Sequence, residues 1–361
     1  MASTLHAIQA LDSLQLQLIV TGMHLDAAHG NRLKQIQKEG WVIDGIVKWP
    51  STGGSSMRTA AQTGQAISEL AILFDKLRSD IVLVVGDRVE AFAAAAAGSI
   101  GGRIVAHIHG GDRALGQVDD SLRHAITKLS HLHFPATKRS AERILRMGED
   151  RSRIHRCGSP GIDNIKTAAT RPGDLQDRYG VERGQFALLL LHPTEADESE
   201  EQQRAERILA ALRSAGLRKI VTIAPNNDPG SAGILRCWQS HAAKHSFYRD
   251  VPRADFLGLL RDAALLIGNS SSGIIEAASF GTPVIDVGDR QKGRERGPNV
   301  QNVSFNANDL RQAIAIVWRG GRPGRFPARN IYGGQGAGRK IAGGLAGIVL
   351  DDRLRRKLIS Y

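Results

Sequence analysis

Residues 80–130 read DIVLVVGDRVEAFAAAAAGSIGGRIVAHIHGGDRALGQVDDSLRHAITKLS. Residues 81–85 are a short, β-branched apolar run, the pattern of a strand buried on both faces. The run stops at Gly86-Asp87-Arg88, and the alanine-rich stretch after it is a tightly packed helix. A second buried strand, 103–108, ends in His109-Gly110-Gly111-Asp112. A loop then delivers Asp119-Asp120 to a helix over 121–130, with Asp120 at its N-cap and Arg123 on its first turns. This is a β-α-β-α unit with carboxylates, a base and glycines at the carboxyl ends of its strands. Open α/β sheets bind ligands at that edge, so the stretch reads as half of an active site.

The same grammar runs outward in both directions. Before this unit come a helix over 5–14, a strand over 16–20 ending in Thr21-Gly22-Met23-His24, a strand over 43–47 and a helix over 59–77. After it come a strand over 132–136, a helix over 140–148 stopped by glycine, and the turn-rich Cys157-Gly158-Ser159-Pro160-Gly161. Proline, glycine and charge mark residues 168–183 as a domain boundary. The second half repeats the pattern, with strands over 186–191, 219–224, 264–267 and 282–287. These end in His192-Pro193-Thr194, Pro225-Asn226-Asn227-Asp228, the GNSSSG of 268–273, and Gly288-Asp289-Arg290. Helices are expected over 199–214 (capped by Ser199), 256–263 (capped by Asp255), 274–280, 309–317 and 337–349. The fold class is α/β. Two Rossmann-type, doubly wound domains, 1–165 and 166–361, are expected to face each other across a cleft, with the C-terminal helix in the second.

Composition narrows the function. The chain's 361 residues correspond to about two domains. No apolar run approaches the roughly 20 residues of a membrane span, and residues 1–9 lack signal-peptide character. Cys157 and Cys237 stand far apart with no CxxC spacing, which fits a reduced, cytoplasmic setting. A net charge of +12 raises the possibility of nucleic-acid binding. The basic residues are dispersed, however, and an aromatic content of 5% is too low for a stacking platform. An enzyme acting on an anionic, phosphorylated substrate accounts for the charge equally well.

Several groups carry the chemistry. GNSSSG joins a strand to a helix, and the backbone N–H groups and hydroxyls of Ser270, Ser271, Ser272 and Gly273 form a phosphate cradle. It is not a Walker loop, because Ile274-Ile275 follow Gly273 where Lys-Ser/Thr would stand. Glu276, one turn on, can accept from a ribose hydroxyl. Asp87 and Asp119 are acid–base candidates, and His192 ends a strand facing the cleft. His107 and His109 lie on one side of a strand, but no carboxylate or cysteine completes a metal site around them, and His107 reads as a core histidine.

Taken together, GDRVEAFAAAAAGSIGGRIVAHIHGG, DDSLRHAITKLSHLHF, RMGE and GNSSSGIIEAASFGTPVIDVGDRQKGR resemble the hydrolysing UDP-N-acetylglucosamine 2-epimerases over residues 15–340. The resemblance implies a GT-B-like fold with UDP bound between two Rossmann-type domains and no metal or nicotinamide cofactor. The partner is a UDP-sugar, and the enzyme is a dimer or tetramer. By the same resemblance Asp87, His109, Asp119 and His192 are catalytic, and His24, Arg88, Arg123, Asn227, Ser270, Ser271, Ser272, Gly273 and Glu276 bind substrate. The implied reaction removes the C2 proton as UDP leaves, giving a 2-acetamidoglucal, and then adds water. The alternatives are the same reaction on a 2,4-diacetamido-trideoxy UDP-sugar, and a UDP-sugar-binding GT-B protein that is a glycosyltransferase or is without catalysis.

Two departures stand out. Relatives of the sialic acid type carry a catalytic glutamate where this chain has His109. A neutral imidazole can serve as base near neutral pH, with a different proton inventory. Family members also open with a strand and a Gly-x-Arg-x-Asp/Glu-Tyr-Gly loop, whereas this sequence opens at STLHAIQALD, which reads as the helix after them. A first sheet without that central strand is expected to hold a large apolar slot at a cost of many kcal/mol.

Overall fold

The computed structural model describes residues 1–25, 32–48, 56–113, 118–226, 228–319, 321 and 323–358. The chain begins with α1 (Ala2–Gln9), β1 (Ile19–Thr21), α2 (Arg32–Lys38), β2 (Gly45–Val47), α3 (Ser56–Lys76) and β3 (Ile81–Val85). It continues with α4 (Val89–Ile100), β4 (Ile104–Ile108), α5 (Val118–Leu129), β5 (Leu132–Phe134) and α6 (Lys138–Arg146). Next come α7 (Ile165–Ala168), α8 (Pro172–Tyr179), β6 (Phe186–Leu190), α9 (Glu198–Ser214), β7 (Lys219–Ile223), α10 (Ser231–Ser240) and β8 (Ser246–Tyr248). The remainder is α11 (Arg253–Asp262), β9 (Leu265–Gly268), α12 (Ser271–Ile275), β10 (Val284–Val287), β11 (Val300–Val303), α13 (Ala307–Trp318), α14 (Ala337–Ala346) and α15 (Asp352–Arg355). The chain divides into two units. One holds Met1–Arg113, the segment ending at Asp163, and the chain from Tyr332 onward; the other holds Asn164–Ile331.

The second unit is built on one parallel sheet in the order β11-β10-β9-β6-β7-β8. Numbered along the chain, this is the 3-2-1-4-5-6 order of nucleotide-binding sheets. All five residues of β6 are buried, as a central strand covered on both faces requires. One face packs against α9, α10 and α13 through Ile208, Trp238 and Ile314, and the other is covered by Leu175, Tyr179 and Leu259.

The first unit holds two parallel sheets, β1-β2 and β3-β4-β5. β4 is buried along its whole length, whereas β3 alternates between buried and half-buried, so its expected burial on both faces holds for one face. Between β1 and β3 lies a cavity of about 710 Å³ lined by Leu16, Ile19, Leu70, Phe74, Leu83 and Leu345, among others.

The C-terminal segment corrects the domain reading, because α14 and α15 belong to the first unit. Ile341, Ala342 and Leu345 on α14 share a core with Ile8, Ile104, Leu132 and Phe134. The Asp163 carboxylate caps α14, accepting from the N–H groups of Gly336 (2.7 Å), Ala337 (3.0 Å) and Gly338 (2.7 Å). Gly338 lies so close to α1 that an added Cβ would stand 2.7 Å from the Ser3 carbonyl carbon. Apolar periodicity revealed this helix but not the surface it covers.

Local chemistry corrects three caps. Asp197, not Ser199, caps α9, accepting from the N–H groups of Ser199 and Glu200. Asp255 lies inside α11, where its carboxylate accepts from Thr170 Oγ1 (2.6 Å), Arg178 (2.7 Å) and the Tyr179 hydroxyl (2.7 Å). α5 starts at Val118, which puts Asp120 within its first turn rather than at the cap.

Candidate active site

In the first unit the site begins where β3 ends. Gly86 takes a left-handed turn (φ 78°) and donates its N–H to the Ile108 carbonyl (3.0 Å), which sets Asp87 and Arg88 at the carboxyl end of the sheet. From α5, Arg123 is 2% exposed and pairs with the Asp87 carboxylate, with Asp120 3.5 Å from its other terminal nitrogen. A guanidinium is suited to this position because it stays charged when buried and presents a rigid fork of donors. Arg88 points its half-exposed side chain at Glu90 (3.4 Å), and Gly22 packs against Glu90 so closely that a Cβ there would meet the carboxylate at 2.6 Å. The short 3-10 turn Gly22–Leu25, which carries the exposed His24, thus rests on the first turn of α4.

β4 presents its two histidines differently. His107 is fully buried, hydrogen-bonded to the Gly86 carbonyl (2.7 Å) and to Thr127 (3.1 Å). Burial drives its pKa down to about 3, so it is a neutral core histidine. His109 stands at the strand's end in the left-handed region (φ 64°), an uncommon conformation for a side chain of its size. The glycines after it are sterically required. A Cβ on Gly110 would lie 2.9 Å from His107 Nδ1, and one on Gly111 (φ 75°) would lie 2.3 Å from the Ser140 carbonyl oxygen. Arg143 donates to the Gly111 carbonyl and holds the turn from α6. The His109 ring is tied at both nitrogens, Nδ1 3.0 Å from Asp112 Oδ2 and Nε2 3.0 Å from Ser159 Oγ.

The second unit gathers another set at the carboxyl ends of β6, β7, β9 and β10. The half-buried His192 follows β6, and its Nδ1 accepts from the Asn226 N–H (3.0 Å), which leaves the ring proton on Nε2. Desolvation, reinforced by the charge of Arg290, lowers its pKa to about 3. After β9, Gly268 (φ 134°) passes so near β6 that a Cβ would lie 2.1 Å from the Leu190 carbonyl oxygen. Ser270 caps α12, accepting from the Ser272 N–H (3.4 Å), with its hydroxyl 2.9 Å from that of Ser272. A Cβ on Gly273 would meet Leu266 at 2.7 Å and Val284 at 2.9 Å, so this glycine lets α12 lie directly on β9 and β10. Glu276 sits in a two-pronged pair with Arg253 (2.6 and 3.0 Å), which adds a cation beside the carboxylate expected at a ribose.

Asp87 and Arg123 are therefore brought together in the first unit, and His192 and Ser270 to Gly273 share one sheet edge in the second. Asp119 lies in the first turn of α5 with its side chain outside the described residues, and Asn227 is also outside them. Sequence reasoning missed Asn269, which brackets His192, and Arg253, whose partner Glu276 is 23 positions away. Asn269 was visible inside GNSSSG, but its role depends on a strand remote in sequence. Among the described residues no group of three or more His, Cys, Asp or Glu side chains is placed to hold a metal ion. No described helix is long and apolar enough to cross a membrane.

Comparison with known proteins agrees with this architecture. The family profile for UDP-N-acetylglucosamine 2-epimerase matches residues 6–346. A UDP-N-acetylglucosamine 2-epimerase of Neisseria meningitidis serogroup B is 34% identical, covering 89% of this chain and 84% of its own length. A hydrolysing UDP-N,N'-diacetylbacillosamine 2-epimerase of Legionella pneumophila is 36% identical, covering 87% and 85%. Among solved structures, a UDP-GlcNAc 2-epimerase from Neisseria meningitidis bound to UDP-GlcNAc superposes with a TM-score of 0.81 at 18% identity, over 96% of this chain and 95% of that one. Two α/β units built on parallel sheets, together with this likeness to solved 2-epimerase structures, define a GT-B-like α/β protein. The chain belongs to the UDP-N-acetylglucosamine 2-epimerase family, and by class it is a UDP-sugar 2-epimerase.

Proposed function

We propose that the protein is a hydrolysing UDP-N-acetylglucosamine 2-epimerase that releases UDP and N-acetylmannosamine through a 2-acetamidoglucal. The observation that carries this reading is the Asp87–Arg123 pair at the end of β3, beside a histidine fixed at both ring nitrogens. A carboxylate held by a buried guanidinium has one defined orientation, which proton transfer at carbon requires. Asp87, His109 and Asp119 divide the acid–base work. The base takes the C2 proton, the electron pair forms the C1=C2 double bond, and the C1–O bond to the diphosphate breaks. Water then adds across the double bond.

Arg88 and His24 bind the sugar beside Asp87. Ser270, Ser271, Ser272, Gly273 and Asn227 hold the diphosphate, and Glu276 holds the ribose. His192, neutral with its proton on Nε2, acts as a hydrogen-bond donor to the leaving diphosphate rather than as a base. The enzyme works as a cytoplasmic homo-oligomer, a dimer or tetramer; two free, buried cysteines fit a reducing compartment. The 36% identity to a hydrolysing diacetylbacillosamine epimerase supports a second reading, in which the same reaction runs on a 2,4-diacetamido-trideoxy UDP-sugar.

The test is proton NMR of the purified protein with UDP-N-acetylglucosamine in deuterated water. Free UDP together with N-acetylmannosamine deuterated at C2 is the expected result. UDP-N-acetylmannosamine without UDP release would make the enzyme non-hydrolysing, and turnover of the diacetamido sugar alone would select the second reading.

A further inference from the structure

Glu276, the carboxylate assigned to the ribose, is itself held by a cation that the reaction does not account for. Glu276 closes α12, its N–H donating to the Ser272 carbonyl (2.9 Å) and its carbonyl accepting from the Ser279 N–H (2.9 Å). Asn330 fastens the same stretch, donating to the Ile275 carbonyl (2.7 Å) and to Ser279 Oγ (2.8 Å). The backbone at Glu276 is therefore fixed, and only the side-chain torsions are left to decide where its oxygens lie. Arg253, the first residue of α11, decides them. Its Nη2 donates to Glu276 Oε1 (2.6 Å) and its Nη1 to Oε2 (3.0 Å). The guanidinium also lies over the ring of Phe256, one turn along α11, 5.8 Å from the ring centroid.

The Arg253 side chain is 50% exposed and that of Glu276 12% exposed. An ion pair with one partner so open to water adds little to stability. Its geometry does more. A planar fork fixes a carboxylate in one orientation, which the point charge of a lysine does not. An ionised carboxylate offers about four acceptor sites. The fork takes one on each oxygen, so each oxygen keeps a site for another donor, and a ribose hydroxyl is such a donor. The guanidinium also balances the carboxylate charge, which would otherwise repel an anionic nucleoside diphosphate.

We propose that Arg253 is a positioning residue that sets the sugar specificity of the nucleotide site: by fixing the Glu276 carboxylate it makes the protein select a ribonucleoside diphosphate over its deoxy forms. This rests on Glu276 holding the ribose. Arg253 acts through Glu276 and not by touching the nucleotide. An unheld glutamate would have to order its side chain as the ligand binds, and part of the gain from the hydroxyl would be lost to that ordering. With the fork in place the ordering is complete before the ligand arrives.

The experiment measures Kd by calorimetry for UDP, 2'-deoxy-UDP and 3'-deoxy-UDP, on the wild type and on Arg253→Met, Arg253→Lys and Glu276→Gln. Equilibrium binding needs no turnover, so the proposed reaction can fail without altering this result. The wild type should bind UDP about 10- to 100-fold more tightly than at least one deoxy analogue, the range expected of a hydrogen bond to a charged group. Arg253→Met keeps an apolar stem beside Phe256 and should fold; its preference should shrink to a few-fold, chiefly through weaker binding of UDP. Arg253→Lys restores the charge without the fork, so it should recover affinity for all three ligands but not the preference. Glu276→Gln should lose most of the preference with Arg253 in place. A wild type that binds the three ligands equally would overturn the proposal by taking the ribose away from Glu276, while UDP remained a ligand. A wild type that binds none of them would overturn the UDP reading as well. Full preference in Arg253→Met or in Arg253→Lys would overturn the proposal alone. So would an equal loss of all three ligands in Arg253→Met, since Arg253 would then contact the base or the phosphates directly.

Discussion

The side chain of Asn269 makes both halves of a backbone-style hydrogen-bond pair with His192. Its Oδ1 accepts from the His192 N–H and its Nδ2 donates to the His192 carbonyl, both at 2.8 Å. A carboxamide at the end of β9 thereby extends the pairing of β6 and β9 by one residue beyond the strands. It also fixes the backbone from which the His192 ring is aimed. The Asn269 carbonyl is held in turn by Gln291 (3.0 Å) and Arg290 (3.3 Å), so four residues from three strand ends form one unit.

Replacing Asn269 by alanine should leave a buried donor and acceptor of His192 unpaired, at a cost of roughly 2–4 kcal/mol. Affinity for UDP, read by calorimetry, should fall while the secondary structure seen by circular dichroism stays the same. Asn269→Asp keeps the acceptor for the His192 N–H but sets a second carboxylate oxygen against the His192 carbonyl, so at neutral pH it should not restore the lost stability.

Asp87 and Arg123 separate chemistry from stability. Asp87→Asn keeps an oxygen for Arg123, so its melting temperature should change little while UDP release falls by about 10²- to 10⁴-fold. Arg123→Met leaves Asp87 and the nearby Asp120 facing an apolar side chain and should cost about 3–5 kcal/mol. Thermal melts and initial rates on the same preparations distinguish the two outcomes.

Acidification should weaken the fold before the carboxylates titrate. Burial lowers His107 and His192 to about 3, and burial with the charge of Lys357 lowers His131 to about 4. In the unfolded chain each histidine returns to its ordinary value near 6.5 and binds a proton that the folded protein refuses. Stability therefore decreases as pH falls below about 6.5, by roughly 1.4 kcal/mol per pH unit for each fully coupled histidine, and is flat above 7. Denaturant midpoints between pH 7 and 5 test this, and His131→Gln should make the slope shallower.

Glu149, 1% exposed, sits among Lys128 (2.5 Å), Lys357 (2.8 Å) and His133 (3.0 Å). Burial alone would raise its pKa, but hydrogen bonds from His133, Lys128 and Lys357 outweigh burial and hold it at about 2. Its contribution is present above about 4.5 and lost as pH falls toward 2, so Glu149→Gln should remove that part of the acid transition. Lys357 also donates to the carbonyls of Thr127, Lys128 and Ser130 at the end of α5. Lys357→Met should therefore lower the melting temperature and speed hydrogen exchange at that helix end.

What could be read from the chain follows the range of the forces involved. β6 was legible because a continuous apolar run of six residues fits a doubly covered strand and little else, and β4 because His107 alone interrupts its apolar residues. β8 and β11 are short and half-exposed, and no alternation announced them. α8 opens with Pro172 and ends at the left-handed Gly180, residues that also mark a boundary. At the site, Asp87, His109 and His192 could be found because each ends a strand. Asp112 read as an ordinary turn residue, because its contact with His109 depends on a left-handed backbone that sequence alone does not specify. The cap choices at Asp197 and Asp255 turned on a few tenths of a kcal/mol or on partners about 80 positions away, and pattern resolves neither.

Because α14 closes over α1, the first unit is assembled from segments that precede and follow Asn164–Ile331, the segment that holds the described residues of the second. During synthesis the second unit emerges whole and can fold on the ribosome, since domains generally fold as units. The first unit must wait with Ile8, Ile104 and Phe134 uncovered until Ile341 and Leu345 arrive. A nascent chain halted between 331 and 341 would therefore carry a finished second unit joined to an unfinished first one, and this is the stage at which a chaperone would find the most to bind.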